Sequence, residues 1–194
     1  MKYSLYKFLR PIIRVLMKFF FRIEYVNKKN IPRNGSYILV GNHKSNFDCA
    51  IVIASVDKVV HFLAKKELID SKLGFFFRWM GIIPVDRKKR NKEAMNSARE
   101  VLNNKGVIGI FPEGTFNKTE YVIMPFKMGT VKLAYDTNAS IVPFAIVGDY
   151  KLFRKTKIIF GKPYKIKTID LKGENITLMN KVIRLMKNEH NRED

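Results

Sequence analysis

An α/β fold is predicted, one domain with a mixed, largely parallel central sheet flanked by helices. Two features of the sequence predict it. Short apolar runs bounded by turn residues alternate with segments of helical periodicity. Polar clusters follow three of those runs, where loop-built sites of such folds gather. The 194 residues, 46% of them hydrophobic, suffice for one sizeable core.

The first 26 residues, MKYSLYKFLRPIIRVLMKFFFRIEYV, form a segment of their own, and residues 27–194 form the domain. Lys7, Arg10, Arg14, Lys18 and Arg22 recur at spacings of three and four, which puts them in one stripe of a helix. Most of the remaining surface is Leu, Ile, Val and Phe. Such a helix cannot span a bilayer without burying a row of cations, but it can lie in the interface. A helix packed on the core is the alternative. Pro11 has no amide hydrogen and predicts a break or kink near Arg10. Nothing here reads as a cleaved signal, and no run reaches the 18 or so apolar residues of a spanning helix.

The elements follow in order. SYILVGN (36–42) reads as a buried strand and FDCAIVIASV (47–56) as a buried helix. VVHFLAK (59–65) is a strand; LGFFFRWM (73–80) suits either an interface or a buried helix. GIIPVD (81–86) is a strand that Pro84 makes an edge or irregular one. NKEAMNSAREVLNN (91–104) carries Ala94, Met95, Ala98, Val101 and Leu102 on one helical face, with Gly106 as its stop. VIGIFP (107–112) and SIVPFAIVG (140–148) are strands around the helix MGTVKLAYDTN (128–138). KIIFGKPYKI (157–166) is a strand pair or an extended segment, and ITLMNKVIRLMKN (176–188) is an amphipathic helix.

The chain has 37 Lys and Arg against 17 Asp and Glu, a net charge of +20. That attracts a polyanion: nucleic acid, an anionic membrane or an acidic protein. The aromatic residues sit among apolar neighbours rather than among cations, which argues against a nucleic-acid stacking platform. The single cysteine, Cys49, rules out an intrachain disulfide and reads as a small buried residue. No paired Cys/His spacing predicts a metal site.

The cluster GNHKSNFD (41–48) holds His43 and, five residues on, Asp48. On a regular helix the two would point about 140° apart. A turn lets them meet: Gly41 and Asn42 end the strand, and Ser45 and Asn46 suit the cap of the next helix. Asp48 could then hold Nδ1–H of His43 and leave Nε2 as a general base for a hydroxyl substrate. A surface histidine near a capping Asp would look the same.

Four blocks together are more specific. NHKSNFD (42–48), GIIPVDR (81–87), FPEGTF (111–116) and IVPFAIVG (141–148) resemble, in order and spacing, the four blocks of the glycerolipid acyltransferases. The resemblance implies acyl transfer from a thioester, on acyl carrier protein or coenzyme A, to the sn-2 hydroxyl of 1-acylglycerol 3-phosphate. The other acceptors it leaves open are glycerol 3-phosphate and other lysolipids. It implies His43 as general base and Asp48 as its orienting partner. Arg87, Glu113, Gly114 and Thr115 would bind the acceptor. It implies no metal and no cofactor. It also implies attachment to an anionic membrane surface at its cytoplasmic face. The third block of the family usually ends in Arg; here Phe116 stands in that place, and Lys118 or Lys127 is left to supply the charge.

Overall fold

The computed structural model describes residues 3–72, 74–86 and 92–190. Seven strands form one sheet: β1 (Glu24–Val26), β2 (Tyr37–Val40), β3 (Val60–Lys65), β4 (Ile83–Val85), β5 (Val107–Ile110), β6 (Ser140–Val147) and β7 (Lys157–Phe160). Their order is β1-β7-β6-β2-β5-β3-β4. All neighbours are parallel except β6 and β7. Helices α1 (Ser4–Phe21), α2 (Phe47–Ser55), α5 (Lys92–Asn103), α6 (Gly129–Thr137) and α7 (Leu171–His190) cover the faces; α3 (Lys66–Ile69) and α4 (Gly74–Trp79) are short turns between β3 and β4.

The two-residue period of β2 shows how the layers form. Tyr37 and Leu39 point into a core shared with α1 and α2, while Ile38 and Val40 point into a core shared with α5, α6 and α7. A strand buried on both faces reads as the unbroken apolar run YILV. Pro84 stands on β4, the edge strand, where a missing donor costs no ladder bond on the open side.

Three expectations change at the chain ends. The helix over 1–26 stops at Phe21, and Glu24–Val26 instead pair with β7 as the outermost strand of the sheet. Helix α1 also runs unbroken through Pro11. Contacts along its length hold it: Tyr6, Met17 and Phe21 are buried, and Arg14 Nε donates to Ala54 O at 2.7 Å. After β7 the chain makes only an isolated bridge, Ile141 to Tyr164, so KIIFGKPYKI is one strand and an extended tail.

The basic stripe of α1 is divided. Arg10 and Arg14 turn inward to carbonyls and Asp57 at the C-terminal end of α2, where cations complement the helix dipole. Lys7, Lys18 and Arg22 stay exposed. Leu9, Ile13 and Phe20 pack on the core, but Phe8, Ile12, Val15, Leu16 and Phe19 form an outward apolar row. Among the described residues no helix is long and apolar enough to cross a membrane.

Candidate active site

The chain leaves β2 toward α2 on one face of the sheet and leaves the adjacent β5 toward α6 on the other. Between two such strands the connecting loops part, and a crevice opens at their C-terminal ends. His43 follows β2 and Phe111–Gly114 follow β5, so both polar clusters meet at that crevice.

The turn that the spacing of His43 and Asp48 requires is present. His43 lies in the loop, Asp48 in the first turn of α2, and Nδ1 of His43 is 2.8 Å from Asp48 Oδ2. The capping differs from expectation, since Asn46 makes no side-chain cap. Asp48 itself organises the turn: Oδ2 also accepts the amides of Lys44 at 2.6 Å and Ser45 at 2.9 Å. Its other oxygen accepts the hydroxyl of Tyr150. A fully buried carboxylate thus has four donors around it, which is what its burial demands. As an acceptor, the carboxylate selects the Nδ1–H tautomer of His43 and leaves Nε2 as the basic nitrogen.

The loop after β5 clamps the histidine. Glu113 Oε1 accepts the amide of His43, and Asn117 donates its amide to the carbonyl of His43 at 2.9 Å. Phe111 stacks on the imidazole at 4.1 Å between ring centroids and 8° between planes, and Phe116 meets it edge-on at 4.4 Å. These two rings fix the imidazole plane and keep water from the Asp48 bond. Position 116 therefore adjoins the histidine directly, and here it holds a ring in place of a cation.

A cavity of about 300 Å³ opens beside His43. Its lining combines apolar Leu63, Val85 and Met95 with Lys65, Lys127 and the first residues of α6. Gly114 lines it with φ +73°; a Cβ there would stand 2.5 Å from Lys127 Nζ, so glycine is what leaves the ammonium its place.

The other expected site residues take different places. Glu113 is buried, and its oxygens take the amides of His43 and Met124, both at 2.8 Å; it braces two loops. Burial raises the Glu113 carboxyl above the ordinary carboxylate range, against the pull of those two amides. Thr115 and Lys118 are exposed and stand outside the cavity lining. Arg87, with the rest of RKKR, lies outside the described residues. Cys49 neighbours the site, but burial and the Asp48 charge push its thiol up to about 12, which removes it as a nucleophile.

Two members of the group were not foreseen. Lys65 ends an apolar strand, and a cation in that place was the only signal available. Tyr150 lies 102 residues from Asp48 and left no local signal. Burial first, and then the Asp48 charge, raise its phenol, so the hydroxyl stays a donor.

A histidine–carboxylate pair thus stands at the switch point of a mostly parallel sheet, beside a part-apolar, part-cationic cavity. The family model described as Acyltransferase matches residues 22–147, and the chain belongs to that family. It is 28% identical over 166 residues to the 1-acyl-sn-glycerol-3-phosphate acyltransferase of Bacillus subtilis, covering 82% of each chain. It is 30% identical over 161 residues to the probable enzyme of that name from Mycoplasma pneumoniae, covering 76% of this chain and 60% of that one. The crystal structure of the 1-acyl-sn-glycerophosphate acyltransferase PlsC from Thermotoga maritima shares the fold, with a TM-score of 0.76 at 20% identity over 94% of this chain and 81% of that one.

Proposed function

We propose that this protein acylates the sn-2 hydroxyl of 1-acylglycerol 3-phosphate, giving phosphatidic acid, with His43 as general base. The observation that carries the reading is the 2.8 Å bond between His43 Nδ1 and buried Asp48 at the mouth of a cavity holding two lysines. In this scheme Nε2 of His43 takes the acceptor's hydroxyl proton as the oxygen attacks the thioester carbonyl. The Asp48 charge stabilises the imidazolium that forms. The tetrahedral oxyanion collapses, the C–S bond breaks, and the thiolate leaves with the proton that His43 returns. Lys65 and Lys127 hold the phosphate, replacing the arginine that Phe116 displaces. The apolar wall receives an acyl chain. The donor is acyl carrier protein or coenzyme A thioester; the +20 net charge suits either anion. The apolar row of α1, with exposed Lys7, Lys18 and Arg22, seats the protein on the anionic cytoplasmic face of a membrane.

The test is acyl transfer in detergent micelles by the native chain and by His43→Ala. Lysophosphatidate, glycerol 3-phosphate and other lysolipids are offered in turn, each with both thioesters. Activity on lysophosphatidate that disappears in the variant is the expected result. Activity confined to another acceptor would move the substrate assignment, and equal activity in the variant would remove His43 as the base.

A further inference from the structure

The loop between β6 and β7 carries an arrangement that the acyl-transfer scheme does not use. Leu152 and Phe153 stand at its tip, 62% and 56% exposed. Phe153 holds φ +62°, a left-handed conformation that a bulky side chain rarely adopts. The ring meets Phe19 and Phe20, yet more than half of it stays exposed. An exposed aromatic ring held in that conformation calls for an explanation.

The loop is also rigidly joined to α1. The last carbonyls of a helix lack helical partners. Here Phe153 donates its amide to Phe20 O at 2.6 Å, and Thr156 donates to Phe21 O at 3.1 Å. The loop therefore caps α1. The Phe153 ring lies 5.9 Å from that of Phe19, at the end of the outward apolar row. Exposed cations flank the tip in sequence: Lys151, Arg154 and Lys155 in the loop, and Lys18 and Arg22 at the end of α1 that the loop caps. Against these five stand Asp149, 3.7 Å from Lys151, and Glu24, 3.4 Å from Lys155, both in exposed pairs of little strength.

From this geometry we infer that Leu152 and Phe153 form a second lipid anchor, inserting beside Phe19 into the surface of an anionic bilayer. The inference rests on the reading that α1 seats on such a membrane. An apolar tip flanked by exposed cations matches the layering of that surface, acyl chains beneath phosphates. A neutral partner would leave the cations unused. The anchor also reaches toward the chemistry. Phe21 contacts Phe47 at 4.9 Å, and Phe47 precedes Asp48; Tyr150, two residues before Leu152, holds the Asp48 carboxylate. One rigid unit thus touches both lipid and the catalytic pair.

The experiment measures partition onto vesicles of phosphatidylcholine with a minority of phosphatidylglycerol. The chains compared are wild type, Phe153→Asn, Leu152→Ser, Phe19→Ser and Ile169→Ser. Asparagine takes a left-handed backbone readily, so Phe153→Asn removes the ring without adding strain. Thermal unfolding of that variant should match or exceed wild type. Its partition coefficient should fall about tenfold, the change expected when much of one aromatic side chain stays in water. Leu152→Ser and Phe19→Ser should fall several-fold, and Ile169→Ser, at an apolar side chain 81% exposed elsewhere, should not change. If wild type does not bind the vesicles, the membrane reading of α1 fails together with this one. If Phe19→Ser weakens binding but Phe153→Asn and Leu152→Ser do not, only the second anchor is overturned. A self-associated wild type that Phe153→Asn makes monomeric, with vesicle binding intact, would also overturn it, since the tip would then pair two copies.

Discussion

Replacing Asp48 by Asn separates two services that a carboxylate gives a histidine: fixing its tautomer and balancing its charge. The hydrogen bonds around Asp48 decide which is lost. Oδ2 faces three donors, from His43, Lys44 and Ser45, whereas Oδ1 faces only the hydroxyl of Tyr150. An asparagine has one accepting oxygen and one donating amide. The two backbone amides at Oδ2 cannot rotate away, so the oxygen must take that side. The amide then faces Tyr150, whose hydroxyl can turn and accept. Asp48→Asn therefore keeps the His43 tautomer and removes only the charge. With charge centres about 4 Å apart and an effective dielectric constant near 20, the lost attraction to the imidazolium is about 4 kcal/mol. That corresponds to roughly a thousandfold in kcat. Binding of the acceptor should be unchanged, because the phosphate site proposed for it lies at Lys65 and Lys127, not at Asp48. The assay is single-turnover acyl transfer to lysophosphatidate, with thermal unfolding to confirm the fold. A loss of less than about tenfold, or a change confined to KM, would refute proton transfer onto His43.

Three further outcomes follow from the same geometry. Tyr150→Phe leaves Oδ1 of a buried carboxylate without its donor; it should cost about 1.5–3 kcal/mol in urea unfolding and lower kcat more than it changes KM. Added to Asp48→Asn, it should reduce activity again, since the asparagine amide loses its acceptor. Lys65→Met and Lys127→Met should each raise KM for lysophosphatidate by about tenfold, the worth of one charge-assisted contact, while leaving turnover of a monoacylglycerol unaltered. Glu113→Gln sets an amide against a backbone N–H and should destabilise by about 1–3 kcal/mol. It should also change the pH dependence of stability. Burial raises the folded pKa of Glu113, so the native state holds its proton more tightly than the unfolded chain does. The stability this gives is complete below the unfolded value, about 4.3, and is lost as pH rises through the folded one. Urea titrations above about pH 4 should show that decline in wild type and its absence in the variant.

What local sequence determined is visible in particular residues. YILV had to be a strand buried on both sides, because no polar residue interrupts it. Pro84 fits the edge strand β4, because it has no amide to give a neighbour, though Pro143 shows that an interior strand also accepts a proline. Asp48 could meet His43 only across a turn, because five residues of helix would part them. Each of these follows from constraints acting within a few residues. Tertiary structure decided the rest. Glu113 was expected at the substrate and instead clasps two backbone amides, since nothing in FPEGTF tells whether a carboxylate faces ligand or main chain. Arg10 and Arg14 belong by spacing to one cationic stripe, but the carbonyl end of α2, forty or more residues away, draws them in. Residues 24–26 continued an apolar segment and became a strand only because β7 offered an unpaired edge. Lys65 and Tyr150 joined the site from a distant strand and a distant loop. A side chain's type is written locally, but its partner is chosen by packing, and packing joins residues that the chain keeps far apart.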